Sequence, residues 1–507
     1  MNVDLTALPG RADAGGTVVR VEGGLVAGHG SPVRVFKAVP YAAPPVGDRR
    51  WQPPAPIEPW DGVRPGDEWG EDCPQAPTTR TRAPRMGEDC LTLNIWAPAD
   101  PADGQPGPPR PVMVWLFGGG YMAGSASDPR CDGEGFAREG VVTVAVGYRV
   151  GVFGFLAHPE LTRESPHGAS GNQGLLDIVA ALQWVQRNIA AFGGDPAAVT
   201  LFGVSAGSAS ISLLLASPLA RGLFARTVQQ SPGAFRRLAS LADAEAAGAR
   251  LGSDLAALRR LSAEEVLAKT PLFVPKMRGL TTPRVLRPIR DGWVIPADER
   301  DAHVAGTASV VPSIVGGNED EGTKLTAGWS VGTDAELDAL FDESFGPAAA
   351  QAREAYADER AAGNVRACVA ALFADTQFNY GVRGVSRAIA ARGVPVWQYL
   401  FRQRRPGAGA PNHGEGVPYV FRTLPAAAAL DGTGFGPDDE TVAAAMQAAW
   451  VRFARTGDPN GEGAPEWPRT GTEERILVFG PEGGVTGGWR GRQLDFLDRF
   501  FGSGGTA

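Results

Sequence analysis

Three features of this 507-residue sequence are suited to chemistry: a serine set between glycines, a short acidic run and an isolated histidine, in that order along the chain. The serine stands in Gly203-Val204-Ser205-Ala206-Gly207, a G-x-S-x-G pattern. Such a pattern turns a strand sharply into a helix; small flanking residues let the backbones approach, and the serine Oγ is left exposed as a nucleophile. The pattern occurs twice, however, again as Gly328-Trp329-Ser330-Val331-Gly332. Context separates the two. Ser205 follows the apolar run 199–202 and precedes the helix-forming stretch Ala206–Ala216, whereas Ser330 follows the polar segment 323–327. Ser205 is therefore the candidate nucleophile, and the first N–H groups of the following helix face the place where negative charge would develop.

A serine nucleophile needs a base, a group to orient that base, and donors for an oxyanion. The apolar run 112–117 leads into Gly118-Gly119-Gly120-Tyr121. Three adjacent glycines are costly in backbone entropy and make sense where N–H groups must approach a ligand unshielded. Downstream of Ser205 there are two histidines. His303 lies in an Ala/Asp-rich segment with no strand before it. His413, in Asn412-His413-Gly414-Glu415, follows the strand-like Val396–Phe401 and a Pro/Gly-rich loop, where a mobile base belongs. The acid lies in Gly317-Asn318-Glu319-Asp320-Glu321-Gly322, after the apolar stretch 311–315. Spacing alone leaves Glu319, Asp320 and Glu321 open. The chemistry these groups suit is two-step acyl transfer through a covalent intermediate, with no cofactor needed.

The elements that must position these groups read as α/β. Short apolar runs at 112–117, 141–146, 199–204, 227–230, 313–315 and 396–401 look like buried strands. Between some of them lie helical patterns; residues 175–189 place Leu175, Leu176, Val179, Leu182, Val185 and Ile189 on one face. Alternation of this kind predicts a large, mostly parallel central sheet flanked by helices. Residues 236–304 look largely helical and charged, an insertion lying over the sheet within one enlarged domain spanning 1–507. Trp115, Phe117, Tyr121, Phe153 and Phe235 are candidates for an aromatic pocket lining.

The net charge of −8 with 21% charged residues excludes a nucleic-acid or anionic-membrane partner, which would need basic clusters. The short arginine runs Arg80, Arg82, Arg85 and Arg402, Arg404, Arg405 read as solvated surface. No apolar run approaches the roughly 18 residues of a membrane span. The N-terminus has neither the basic nor the apolar region of a signal peptide, so a soluble, cytoplasmic protein is expected. Four cysteines in no zinc spacing and five scattered histidines give no metal site.

Taken together, the motifs resemble the type-B carboxylesterase family of para-nitrobenzyl esterases, carboxylesterases and cholinesterases, over nearly the whole chain. The resemblance is carried by Phe36-Lys37-Ala38-Val39-Pro40-Tyr41-Ala42, Pro44-Pro45-Val46-Gly47, Gly87-Glu88-Asp89-Cys90-Leu91-Thr92-Leu93-Asn94, Gly171-Asn172-Gln173-Gly174 and Phe453-Ala454-Arg455-Thr456-Gly457-Asp458-Pro459. It implies an α/β-hydrolase fold with long insertions over the active site and hydrolysis of a small-molecule carboxylic ester; a monomer or small homo-oligomer is expected. It also implies Ser205 as nucleophile, Glu321 as acid, His413 as base, and Gly119, Gly120 and Ala206 as oxyanion donors. Ser231 matches a position beside the triad, and Arg50–Glu88 and Arg149–Asp177 match structural ion pairs. Cys73 and Cys90 match a disulfide, which would contribute about 3 kcal/mol if formed. Two departures stand out: Val204 where many members carry Glu, and Phe117 where His or Tyr is usual. The same site suits a carbamate or activated amide, since a triad does not fix the leaving group. Non-catalytic adhesion relatives lose the nucleophile, which this chain keeps.

Overall fold

A computed structural model describes residues 17–99, 107–273, 279–471, 473–481 and 483–502. Its strands are β1 (Thr17–Val21), β2 (Gly24–Gly28), β3 (Val33–Pro40), β4 (Val63–Pro65), β5 (Thr92–Pro98), β6 (Arg110–Leu116), β7 (Val142–Val146), β8 (Gly194–Val204), β9 (Arg226–Gln230), β10 (Ser313–Asn318), β11 (Val396–Phe401), β12 (Ile476–Phe479) and β13 (Gly484–Thr486). Among the described residues β1, β2 and β4 form a small sheet, and the other strands form a ten-stranded sheet in the order β13-β12-β11-β10-β9-β8-β6-β7-β5-β3. From β7 to β12 all neighbours are parallel; β3, β5 and β13 add antiparallel edges.

The central strands are apolar on both faces because helices cover both. β7, β10 and β11 are buried at every position, as is β8 from Thr200 to Gly203. β8 begins upstream of the expected residue 199 because Gly194 pairs with Arg110 across an irregularity in the β6–β8 register. The helix Gln173–Asn188 buries Leu175, Val179, Leu182 and Val185. The helix Ala206–Ala216 is buried at every position and runs through the interior behind Ser205.

Residues 236–304 depart from expectation. They hold only short helices, Leu241–Gly248, Leu255–Arg260, Ala263–Leu267 and Glu299–Val304, with irregular chain between, and 274–278 lie outside the described residues. Prolines at 271, 283, 288 and 296 explain this, since each removes a helical donor and clashes with the preceding turn. Farther along, helices Val365–Ala374 and Tyr380–Ala390 are joined by a single π-helical turn, Asp375–Asn379, an arrangement frequent at functional sites.

The implied Cys73–Cys90 disulfide is not formed. Cys73, Cys90, Cys131 and Cys368 are all buried free thiols. The Cys73 Sγ accepts from the Val150 N–H at 3.4 Å. The contact with Cys73 and burial hold the Cys90 thiol well above its usual range. Oxidation proceeds through thiolate, which this dry pocket disfavours. The ion pairs Arg50–Glu88 (2.8 Å at Nε) and Arg149–Asp177 (2.6 and 2.8 Å) are present, both bidentate. No helix among the described residues is long and apolar enough to cross a membrane.

Candidate active site

Parallel strands end on one side of a sheet, so loops distant in sequence meet there. β6 leads into Gly118–Gly120, β8 into Ser205, β10 into the acidic segment and β11 into the loop of His413. Ser205, His413, Gly118, Gly119, Gly120 and Ala206 all line one cavity of about 590 Å³.

Ser205 sits at φ 55°, ψ −120°, a sparsely populated region for a residue with a Cβ. The turn is pinned by the Ser205 N–H donating to Gln230 O (2.9 Å) on β9 and by the Ala209 N–H donating to Ser205 O (2.8 Å). The flanking glycines are required by space. A Cβ on Gly207 would lie 2.1 Å from Leu116 O, and one on Gly203 2.7 Å from the same atom. Ser330, by contrast, is exposed and follows the short helix Thr323–Thr326, with no strand leading into it.

The glycine loop is folded back on itself: the Met122 and Ala123 N–H groups donate to Gly119 O at 3.0 and 3.2 Å. Gly119 and Gly120 have φ of +134° and +64°, and a Cβ on Gly119 would lie 2.0 Å from Ala123 O. Ala206 opens its helix, so its N–H is among the first, which have no partner within the helix. The glycine loop and the start of this helix both border the serine: a Cβ on Gly118 would stand 3.0 Å from Ser205 Cβ. The Phe117 side chain cannot hydrogen-bond; its ring stacks on Tyr148 (centroids 4.1 Å), whose OH donates to the Phe117 backbone O at 2.6 Å and fixes the loop's root.

The acidic segment separates its three carboxylates. Glu319 turns outward to Arg402 and Arg404 (3.4 and 3.1 Å). Asp320 Oδ1 accepts from the Gly322 and Thr323 N–H groups at 3.1 and 2.9 Å, capping the next turn. Glu321 alone points inward and is 1% exposed. Its Oε1 accepts from Ser231 Oγ and the Asn318 N–H, both at 2.6 Å, and its Oε2 contacts His413 Nδ1 in a short hydrogen bond. With Nδ1 committed to a carboxylate, Nε2 is the nitrogen free to accept a proton.

The His413 loop is clasped to the acid loop. Asn318 Nδ2 donates to Asn412 O (2.9 Å), the Asp320 N–H to Pro411 O (3.1 Å) and the Lys324 N–H to Asn412 Oδ1 (3.2 Å). The imidazole lies on the ring of Phe378 at 4.2 Å. Motif reading missed this clasp and this ring, since neither residue type signals its role without a partner in space. His303 is elsewhere. It is buried against Phe235 (5.4 Å), and burial lowers its pKa to about 4.

The cavity wall also differs from expectation. Trp115, Phe117 and Tyr121 line it, but Phe153 and Phe235 do not; their places are taken by Trp329, Phe373 and Phe378. Phe153 instead lies beside the Arg50 guanidinium. Arg80, read as solvated surface, lines the cavity.

A profile of the carboxylesterase family matches residues 16–496. The chain is 43% identical to the fumonisin B1 esterase of Sphingopyxis macrogoltabida over 489 residues, covering 94% of this chain and 89% of that protein. It is 34% identical to the para-nitrobenzyl esterase of Bacillus subtilis (strain 168), covering 88% and 91%. Among solved structures it is similar to a para-nitrobenzyl esterase (TM-score 0.84, 30% identity, 95% of this chain and 99% of that one). It is also similar to the carboxylesterase Est55 of Geobacillus stearothermophilus (TM-score 0.83, 35% identity, the same coverage). The fold is that of the α/β hydrolases, and the chain belongs to the carboxylesterase family, as a carboxylic-ester hydrolase.

Proposed function

We propose that hydrolysis proceeds through an acyl-enzyme on Ser205, with His413 as general base and Glu321 as the acid that orients it, within one catalytic domain spanning the chain. His413 Nε2 takes the Ser205 proton as Oγ attacks the ester carbonyl. Glu321 holds the Nδ1–H tautomer and stabilises the imidazolium. The N–H groups of Gly119, Gly120 and Ala206 stabilise the oxyanion, one such donor being worth roughly 3 kcal/mol. His413 then protonates the leaving alcohol, and a water activated by the same nitrogen releases the acid. Ser231 acts as a positioning residue for Glu321.

The observation that carries this reading is the buried Ser231–Glu321–His413 chain of hydrogen bonds ending in the cavity that Ser205 also lines. The test is hydrolysis of para-nitrophenyl esters of increasing acyl length by wild type, Ser205→Ala and Ser330→Ala. Turnover lost in Ser205→Ala alone is expected. Full activity in Ser205→Ala would remove the assignment.

A further inference from the structure

The chain as a whole is acidic, yet its candidate active site is not. Among the described residues the cavity is lined by Arg80, Arg130, Arg236, Arg284, Arg287 and Lys324 against one carboxylate, Asp128. That carboxylate is already committed to Arg130 at 2.6 Å. Cations therefore outnumber carboxylates around the space above Ser205, in a protein whose net charge is −8.

Three of them come together on one side. Arg287 lies beside the glycine loop, its Nη2 3.6 Å from where a Cβ on Gly120 would stand, and its guanidinium is over the Tyr121 ring at 6.0 Å. Among the described residues Arg236 donates to neutral oxygens, Gly233 O at 3.3 and 3.4 Å and Gln377 Oε1. It is half-buried, and among the described residues it forms no ion pair. A small adjoining recess is lined by Arg236, Arg284 and Arg287, with Arg237 and Glu299. Glu299 is a weak counter-ion: it is buried, it accepts from the Phe235 N–H at 2.9 Å, and burial pushes its carboxyl up to about 7.

Holding a guanidinium such as that of Arg236 away from bulk water with no carboxylate in ion-pair contact is costly, because its hydration is lost and only the half-titrated Glu299 offsets its charge from a distance. The cost is recovered when a ligand supplies the anion, and a guanidinium fork matches a carboxylate with two parallel N–H···O bonds. Arg80 and Lys324 are exposed at the rim and add a field that draws anions inward.

We propose that this side of the cavity is a carboxylate subsite, and that the enzyme's substrates are esters whose acyl or alcohol part carries a free ionised carboxylate gripped by Arg236 and Arg287. The proposal rests on the esterase reading above and adds the charge of the substrate to it.

The test uses matched esters differing in one charge. On the acyl side, mono-para-nitrophenyl adipate is compared with its methyl-capped diester. On the alcohol side, 4-acetoxybenzoate is compared with its methyl ester. Wild type is expected to prefer the anionic member of at least one pair by tenfold or more in kcat/KM, mainly through KM; the pair that responds shows which side of the ester the subsite reads. The ratio within that pair should fall at least tenfold in Arg236→Gln or Arg287→Gln, recover in part in Arg236→Lys, and shrink in 0.5 M NaCl. Equal or better turnover of the capped esters in both pairs overturns the proposal. So does an equal loss of kcat on charged and capped esters in the arginine variants, which would mark a structural or oxyanion role. Binding of adipate to Ser205→Ala protein, followed by calorimetry, keeps the two readings distinguishable. Adipate bound by Ser205→Ala and not by Ser205→Ala/Arg236→Gln supports the subsite even if no ester is turned over. Absence of binding together with absence of any charge preference sinks the subsite while leaving the esterase reading intact.

Discussion

Replacing Glu321 by Gln changes one atom in the interior, and the surrounding donors decide how the site responds. Oε1 of Glu321 accepts from the Ser231 hydroxyl and the Asn318 N–H, both at 2.6 Å. The Ser231 hydroxyl can rotate; the Asn318 N–H cannot. An amide NH₂ turned that way would face a fixed donor, at a cost of about 1–3 kcal/mol for the unsatisfied buried pair. The amide oxygen therefore stays with Asn318, and the NH₂ faces His413 Nδ1. That nitrogen must then accept, the imidazole proton moves to Nε2, and Nε2 can no longer take a proton from Ser205. The wrong tautomer lowers kcat by about 10⁴, or roughly 5.5 kcal/mol of transition-state stabilisation, with KM little changed. Glu321 is 1% exposed, so Gln also relieves a buried charge, and the thermal midpoint should stay within a few degrees of wild type. Initial rates on para-nitrophenyl butyrate, alongside a thermal melt, read both quantities. The reasoning is refuted if Glu321→Gln keeps more than a tenth of wild-type kcat, or if Glu319→Gln loses as much.

The same geometry sets four further outcomes. Ser205→Gly should abolish turnover yet melt higher than Ser205→Ala, since glycine accepts φ 55° without a Cβ and relieves about 1 kcal/mol of strain; equal melting of the two variants would deny that strain. Gly119→Ala should lose both activity and more than about 2 kcal/mol of stability, because its Cβ would stand 2.0 Å from Ala123 O, whereas Gly120→Ala meets no backbone atom and should cost only about 1 kcal/mol in denaturant melts. Glu299 has a folded pKa of about 7 against about 4.5 unfolded, so the native state holds its proton more tightly: the penalty is absent below pH 4.5, grows as pH rises to 7 and reaches roughly 3 kcal/mol above it. Glu299→Gln should therefore stabilise more at pH 8 than at pH 5, and equal effects at both would contradict a buried titrating carboxyl. Alkylation of denatured, unreduced protein should count four thiols, and a count of two would restore the Cys73–Cys90 bond.

The elements around Ser205 were legible because their requirements are local. A strand, a cramped turn and a helix must be adjacent in the chain, so residues 199–216 distinguished Ser205 from Ser330 with no tertiary information. The alternation of apolar runs with helical ones likewise predicted a mostly parallel sheet, as the strand order shows. Strand edges were less legible, as at Gly194, because pairing with Arg110 extends β8 beyond its apolar run.

Everything that depends on direction was left to the tertiary structure. Three consecutive acids are equivalent in sequence; only the bend after β10 sends Glu319 to Arg402 and Arg404, Asp320 to a cap and Glu321 inward. Phe373 and Phe378 reach the cavity from a helical segment about 170 residues beyond Ser205, while Phe235, closer in sequence, faces His303. The charge of the site was hidden most completely. A net −8 argued only against nucleic acid and anionic membranes, because composition averages over the whole surface, whereas Arg80, Arg236, Arg284 and Arg287 are brought to one cavity by separate stretches of chain. Residue type sets what each side chain is able to do; its field acts over ångströms in space, and those distances exist only once the chain has closed on itself.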